Sequence, residues 1–161
     1  HDVAQDKLKL SLDNTVSFAV NKVGVNLNTA SKHLLKYVSG IGPKLAENII
    51  NHRKKEGIFS SRKELLKVKG LGSKAYEQAA GFLRITNGKN PLDASAVHPE
   101  SYHIVKSISS KSGKQIDELI GNKIFTSRLK LEDYTTSTIG LPTLKYIVEE
   151  LTKPGLDPIG A

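Results

Sequence analysis

Two five-residue stretches decide the fold predicted for this chain: GIGPK at residues 40–44 and GLGSK at residues 70–74. In both stretches two glycines enclose one aliphatic residue, and a lysine stands two positions after the second glycine. Glycine tolerates the left-handed backbone that tight turns between helices require. Glu47 and Glu77 continue the same offset of thirty residues beyond the turns. Two matching turns in one register predict a tandem helix-hairpin-helix motif.

The segments around these turns carry the apolar spacing of amphipathic helices. Gly24 is predicted to end the first helix, and Asn28 or Thr29 to cap the second. Pro43 suits the first position of the third helix, and Gly57 its end. The helices predicted on this basis are 2–23, 28–38, 43–56, 61–67 and 73–83. The inward face of the first is predicted to comprise Leu8, Leu12, Val16, Ala19, Val20 and Val23.

The short helix 61–67 has start signals of its own. Ser60 or Ser61 is predicted to cap it, and Glu64 to complete a capping box with Ser61. Phe59, just before this helix, is predicted to be buried where the chain reverses. The aliphatic residue inside each turn, Ile41 or Leu71, is predicted to lie in the core and hold the two helices of its hairpin together.

Residues 87–98 are rich in Asn, Gly and Pro, which predicts a connector. Helices are predicted beyond it at 99–110, 115–120, 131–138 and 140–151, the last ended by Pro154 and Gly155. A strand at 123–130 is left open. The predicted fold is all-α: a tandem helix-hairpin-helix followed by a small helical domain. The predicted parts are N-terminal helices at 1–38, the tandem motif at 39–86, the connector at 87–98 and the small domain at 99–161.

Charge is concentrated in the segment that holds the two turns. Residues 39–86 carry ten Lys or Arg against four Glu, a net +6, whereas residues 1–38 carry +2 and residues 87–161 carry nine charges of each sign. A local basic surface favours a polyanion through counterion release, and nucleic acid is the usual one. The excess is supplied mainly by Arg53, Lys54, Lys55, Arg62, Lys63, Lys67 and Lys69. Taken singly, each of these cations is also typical of a solvated surface.

Length and composition narrow the classes of protein. The chain has 161 residues, 38% of them apolar, which is globular composition for one domain or two small ones. No cysteine is present, which excludes disulfides, thiolate metal sites and a cysteine nucleophile. We expect a cytoplasmic protein without membrane contact, since no signal peptide or apolar run of about 18 residues occurs. The lack of any methionine predicts that the chain is a piece of a longer protein.

Residue patterns that would indicate catalysis are missing. The five histidines show no metal-ligand spacing with supporting acids, and His98 is predicted to be a cap or a buried hydrogen-bonding partner. No serine has the context of a catalytic triad. The glycine turns are too short for a nucleotide-binding phosphate loop and follow no strand. We therefore expect no enzyme activity, no cofactor and no metal.

The turns themselves are the predicted binding site. A helix start leaves backbone N–H groups unpaired and carries partial positive charge, which suits a phosphate. Backbone contacts carry no base information, so binding is predicted to be independent of sequence. Two copies related by a pseudo-twofold axis are predicted to grip two nearby phosphate strands. The predicted nucleic-acid-binding residues are Gly40, Gly42, Lys44, Gly70, Gly72, Lys74, Lys69 and Arg62.

Long ordered strings along nearly the whole chain resemble one known family. They are HDV (1–3), VGV (23–25), LNTAS (27–31), YVSG (37–40), SRKELLKV (61–68), EQAAGFLRI (77–85), NPLDASAVHPESY (90–102), GLPTL (140–144), KPG (153–155) and DP (157–158). The chain resembles the bacterial Tex family of transcription accessory proteins, which is related to a eukaryotic transcription elongation factor.

The resemblance implies a helix-hairpin-helix region and a following small helical domain, placed in the family between an RNase H-like domain and an oligonucleotide-binding barrel. It implies a nucleic-acid-binding role in transcription, with much of the affinity supplied by the barrel. Three departures stand out: Asn26 where the family often has Asp, Ser73 where it often has Pro, and Leu156 where Arg is frequent. These changes are expected to weaken a cap, loosen a helix start and remove one basic contact.

Two other functions stay open at this point. The neutral part 99–158 favours a structural or protein-docking module, whose partners would be RNA polymerase or other transcription components, with nucleic acid bound by absent domains. Tandem hairpins also occur in DNA ligases and nucleases, but the string at 90–102 argues against a repair fragment.

Overall fold

The computed structural model describes residues 2–153 and the side chains of residues 12–153. Within this range the chain divides into two compact units, residues 2–85 and 86–153. Leu8 of the predicted helix face lies outside the described side chains. The predicted helix stop at Pro154 and Gly155 and the departure at Leu156 lie outside the described residues. No helix in the described range is long and apolar enough to cross a membrane.

The first unit is built mainly of helices, as predicted. The helix 2–23 and the helix 43–56 are confirmed with their predicted bounds, and Gly24 and Gly57 follow them. Its elements are α1 (Asp2–Val23), β1 (Val25–Asn26), α2 (Lys32–Leu35), α3 (Pro43–Glu56), a 3-10 helix (Arg62–Lys67), α4 (Ser73–Ala79), a second 3-10 helix (Ala80–Phe82) and β2 (Leu83–Arg84).

A pair of short parallel strands was not expected. Val25 of β1 lies opposite Leu83 of β2, and Leu27 donates a backbone hydrogen bond to the carbonyl of Arg84 at 2.9 Å. The prediction of one helix through Leu83 is therefore wrong at its end, because α4 stops at Ala79 and the chain leaves through a 3-10 turn. Two residues are too few to show the alternation that marks a strand in sequence.

The second helix begins later than predicted. Ser31 is its N-cap, since the Ser31 hydroxyl accepts from the N–H of Leu34 at 3.3 Å. Asn28 instead binds the backbone of Phe59: its amide donates to the Phe59 carbonyl at 2.9 Å and its oxygen accepts from the Phe59 N–H at 2.7 Å. Asn28 thus holds the connector after β1 against the chain reversal that follows α3.

Glu64 fixes the start of the 3-10 helix by a different pairing from the predicted one. Its carboxylate accepts from the backbone N–H of Ser60 at 2.7 Å and from the Ser60 hydroxyl at 2.8 Å. The Ser61 N–H also donates to the Glu64 carboxylate, but the Ser61 side chain makes no capping hydrogen bond, so only half of the predicted capping box with Ser61 is formed. Burial acts to raise the pKa of Glu64, but hydrogen bonds from Ser60 and Ser61 and the charge of Lys67 outweigh it, and the net shift is downward.

The apolar core of the first unit lies between α1, α3 and the two turns. Ile41 and Leu71 are 3% and 4% exposed, which confirms that the aliphatic residue of each turn is a core residue. Phe59 is buried as predicted. Val20 of α1 is fully buried, but Leu12 is 58% exposed, so the predicted inward face of α1 is wrong at that position.

The second unit is also mainly helical. Its elements are 3-10 helices at Pro91–Ala94, Pro99–Ser101 and Leu131–Tyr134, with α5 (Tyr102–Ser112), α6 (Ile116–Leu119), α7 (Lys123–Thr126) and α8 (Leu141–Leu151). The strand left open at 123–130 is absent, because α7 occupies residues 123–126 and turns and irregular chain follow it through residue 130. His98 caps Pro99–Ser101, since its Nδ1 accepts from the N–H of Glu100 at 3.2 Å. The core is formed by Leu92, Val97, Ile104, Val105, Ile108, Leu119, Leu144, Ile147 and Leu151.

Candidate nucleic-acid interface

The two glycine turns have nearly the same backbone conformation. The first glycine is left-handed in both, with φ of +87° at Gly40 and +79° at Gly70. The second glycine is extended in both, with φ and ψ of −93° and −177° at Gly42 and −94° and −172° at Gly72. The repeat in the sequence is therefore a repeat in backbone geometry.

Hydrogen bonds inside the turns repeat as well. The N–H of Ile41 donates to the Val38 carbonyl at 2.9 Å, and the N–H of Leu71 donates to the Val68 carbonyl at 3.1 Å. In each copy the carbonyl of the second glycine accepts the first hydrogen bond of the following helix, at 2.9 Å in α3 and 3.0 Å in α4. Each turn thus aims its aliphatic side chain inward and is closed by one backbone bond.

Each turn packs against the helix that follows the other turn. A Cβ atom built on Gly40 would lie 2.8 Å from the Cβ of Gln78 in α4. A Cβ atom built on Gly70 would lie 3.6 Å from the side-chain nitrogen of Asn48 in α3. Asn48 and Gln78 are themselves thirty residues apart, so the contacts are reciprocal. Reciprocal contacts of this kind are what the predicted pseudo-twofold relation between the two copies requires.

Seven backbone donors at the turns have no hydrogen-bond partner within the described residues. They are the N–H groups of Gly40, Gly42, Lys44, Gly70, Gly72, Ser73 and Lys74. The second glycine of each turn is exposed, as is Gly70, and Gly40 is half-buried. The glycines that carry these donors therefore lie at or near the protein surface.

Three lysines surround the exposed donors. Lys44 and Lys74 are the second residues of α3 and α4, and Lys69 directly precedes the second turn. All three side chains are exposed, and none has an ion-pair partner in the part of the chain that the structure describes. The Lys69 carbonyl accepts from the side-chain amide of Asn48 at 2.8 Å, which ties the start of the second turn to α3.

Arg62 does not belong to this surface, and the prediction that it contacts nucleic acid is wrong. Its side chain is 1% exposed, and its Nε donates to the Leu83 carbonyl at 2.9 Å. Its guanidinium also donates to the Gly81 carbonyl at 3.4 Å. A buried guanidinium must be hydrogen-bonded, and here its acceptors are two backbone carbonyls in the segment that follows α4. Arg62 is thus a structural residue.

Arg53 is a second cation that the structure turns inward. Its Nη1 donates to the carbonyls of Leu27 at 3.0 Å and Ala30 at 2.8 Å. Burial lowers the pKa of Arg53. The exposed positive charge of the basic segment is consequently carried by lysines: Lys44, Lys54, Lys55, Lys63, Lys67, Lys69 and Lys74.

An open groove beside the turns was missed by the sequence analysis. It has a volume of about 750 Å³ and runs between one face of α3 and the chain at 64–69. The α3 side is lined by Lys44, Asn48, Asn51 and Lys55, and the facing side by Glu64, Lys67 and Lys69. These four polar residues of α3 are spaced by four, three and four positions, which places them on one helix face. That spacing is visible in the sequence and could have predicted a polar surface here.

Comparison with known proteins agrees with this geometry. The family model described as "Helix-hairpin-helix motif" matches residues 20–84, and the model described as "HHH domain" matches residues 90–158. A protein named "Transcriptional accessory protein Tex" from Neisseria gonorrhoeae is 53% identical over 161 residues, which is 100% of this chain and 21% of that protein. The chain is a helix-hairpin-helix region of the Tex family.

More distant relatives also align over most of this Tex-family region. "Protein tex" of Bordetella pertussis is 49% identical over 158 residues, covering 98% of the chain and 20% of that protein. The human "S1 RNA-binding domain-containing protein 1" is 31% identical over 212 residues, covering 96% of this chain and 21% of that protein. The chain spans about a fifth of the length of these relatives.

Proposed function

We propose that this chain is a non-enzymatic, sequence-independent nucleic-acid-binding module that holds phosphates at its two glycine turns. The observation that carries the proposal is the pair of exposed turns with equal backbone geometry and unpaired N–H groups. In each turn the N–H of Gly42 or Gly72 and the N–H of the lysine two residues later are unpaired. An oxygen of one phosphate can accept both.

Charge adds to these backbone contacts. The first turn of α3 leaves donors without intrahelical partners and carries partial positive charge, and the Lys44 ammonium adds a full charge beside it. Lys69 and Lys74 flank the second turn in the same way. Because each charge is mobile and exposed, it contributes mainly through release of counterions from the phosphates.

Each turn packs against the helix that follows the other turn, and this packing supports two phosphate sites close together. The reciprocal contacts of Gly40 with α4 and of Gly70 with α3 fix the distance between the sites. Such a pair favours a nucleic acid whose two phosphate strands run side by side, as in a duplex or a junction. No base edge is reached by backbone donors, so unrelated sequences of the same shape are expected to bind equally.

Fluorescence anisotropy with two duplexes of unrelated sequence, at several salt concentrations, tests this function. If about four phosphates are neutralised, log K falls against log salt with a slope of roughly −3 to −4. Replacing Lys44→Glu together with Lys74→Glu should flatten that slope by about 2 and weaken binding roughly 60-fold at about 0.1 M salt.

A matched control is available in the second unit. Lys106→Glu with Lys145→Glu makes the same change of net charge at exposed lysines of the second unit, and it should leave affinity within about twofold. The absence of binding at low salt, a flat salt response or equal losses in the two double variants would refute the proposal.

A docking role for the second unit is a separate candidate. Residues 87–161 carry no net charge, and two large apolar side chains, Ile124 and Tyr146, are 73% and 62% exposed. Both features suit a protein partner better than a polyanion, and RNA polymerase or another transcription component is the partner class that the Tex relatives suggest. Pull-down of purified RNA polymerase with the full chain, compared with an Ile124→Ser and Tyr146→Ser variant, tests this candidate. Equal recovery with both proteins would reject it.

A further inference from the structure

We propose that the groove between α3 and residues 64–69 binds a single strand of nucleic acid that continues from the glycine turns. This inference rests on the proposed function and deepens it, because it names a second ligand form and its path. The groove begins at the turns themselves: Lys44 follows the first turn, Lys69 precedes the second, and Asn48 bridges them through its bond to the Lys69 carbonyl.

The electrostatics of the groove favour a polyanion. Lys44, Lys55, Lys67 and Lys69 line it, and none has an ion-pair partner within the described residues. Two glutamates also line it. The carboxylate of Glu64 is occupied by hydrogen bonds from Ser60 at 2.7 and 2.8 Å, so it is fixed against its own chain and cannot swing across the groove. Four cations against two anions leave a net positive channel beside the turns.

The groove is long enough for a short stretch of an extended strand. From Lys44 to Lys55 the α3 backbone rises about 16 Å. A strand that separates from a duplex held at the turns can enter.

The groove also offers surfaces for bases. Ile58 is 75% exposed at the end of the groove away from the turns. The ring of His52 lines the groove and is stacked on buried Phe59, with centroids 5.0 Å apart and planes at 20°. A ring held flat from behind can receive a base on its other face at little entropic cost, and such stacking tolerates any base. The side-chain amides of Asn48 and Asn51 add hydrogen-bonding groups between the lysines.

A double substitution in the groove, measured against a matched neighbour, tests the inference. The ligands are a blunt duplex and the same duplex with a single-stranded tail of about ten nucleotides. Lys55→Glu with Lys67→Glu should leave the affinity for the blunt duplex within about twofold. The same variant should bind the tailed duplex about 25-fold more weakly at about 0.1 M salt, which is the loss of affinity expected when two single-strand phosphate contacts are removed. Lys54→Glu with Lys63→Glu changes the same charge on the same two helices outside the groove, and it should affect neither ligand by more than about twofold.

Footprinting gives a second measurement that does not depend on affinity. Because the chain has no cysteine, Ile58→Cys introduces one thiol at the groove, and Ile124→Cys introduces a comparably exposed one in the second unit. Oligothymidylate should slow iodoacetamide modification at position 58 at least fivefold and leave position 124 unchanged. Slowing by polyglutamate but not by oligothymidylate would assign the groove to an acidic peptide and overturn the inference.

The two proposals fail separately. If the tail adds no affinity and position 58 stays unprotected while duplex binding still depends on Lys44 and Lys74, the groove inference is wrong and the function of the turns stands. If neither duplex nor tailed duplex binds at low salt, the function of the turns is wrong as well.

Discussion

Substituting alanine at Gly40 measures how closely the first turn packs against α4. Gly40 is left-handed, with φ of +87°, and an alanine Cβ there would lie 2.8 Å from the Cβ of Gln78 and 3.2 Å from the Ala75 carbonyl oxygen. Left-handed backbone costs a non-glycine residue about 1–2 kcal/mol. Overpacking a closed contact adds about 1–3 kcal/mol. Gly40→Ala is therefore expected to lower the free energy of unfolding of the first unit by about 2–5 kcal/mol.

Two other glycines separate the causes. Gly70 shares the left-handed backbone, but its nearest neighbours would be 3.5 and 3.6 Å from the new Cβ, which is ordinary contact. Gly70→Ala should consequently lower the free energy of unfolding only by the cost of the left-handed backbone, about 1–2 kcal/mol. Gly42 has φ of −93° and nothing within 4 Å, so Gly42→Ala should be neutral or should stabilise by less than about 1 kcal/mol.

Urea unfolding followed by amide NMR signals of residues 39–74 assigns each change to the first unit. With a urea dependence of about 2 kcal/mol per molar, the midpoints of Gly40→Ala and Gly70→Ala should differ by roughly 1 M. Equal midpoints for these two variants would refute the close approach of the first turn to α4. A Gly42→Ala protein as unstable as Gly40→Ala would refute the assignment of the backbone conformations.

Three further outcomes are expected. Gly42→Ala with Gly72→Ala should keep the unfolding midpoint within about 0.5 M but weaken duplex binding at least fivefold in anisotropy, since both methyl groups would stand where a phosphate must approach the backbone; unchanged binding would argue against contacts through these amides. Arg62→Met should destabilise the first unit by about 3 kcal/mol in urea, because two carbonyls lose their donor, while leaving the salt slope of binding unchanged; a flatter slope would return Arg62 to the interface. The folded-state pKa of Glu64 is lowered, so its contribution to stability is present above the ordinary pKa of a glutamate and is lost as the pH falls through the folded value. Glu64→Gln should therefore remove part of the acid-side loss of thermal stability, and a melting-temperature profile parallel to the parent's would contradict this.

Much of the fold follows from local signals that the sequence displays directly. The turns at 40–44 and 70–74, the start of α3 at Pro43 and its end before Gly57 depend on backbone preferences of a few adjacent residues. Such preferences act over one turn of chain, and they can be read without knowing what lies across the core. The burial of Ile41 and Leu71 can be predicted in the same way, because a turn that joins two packed helices directs its aliphatic residue into the core.

The misassigned residues are those whose partners are distant in sequence. Arg62 reads as a surface cation until Leu83 and Gly81 bring their carbonyls to it, about twenty residues further along the chain. Asn28 reads as a helix cap until Phe59, 31 residues away, offers both a donor and an acceptor. In each case the polar side chain pairs with backbone groups that folding buries beside it. Leaving a buried polar group unpaired costs more free energy than a local helix cap contributes.

The sequence by itself determined that there are two like turns, that lysines flank them and that helices follow them. These features depend only on residues that are close together in the sequence. Only the tertiary structure decided which charges face water, where the turns touch each other's helices and that a groove opens beside them. Those outcomes depend on which surfaces are buried together, and burial brings side chains into contact without regard to their separation in sequence.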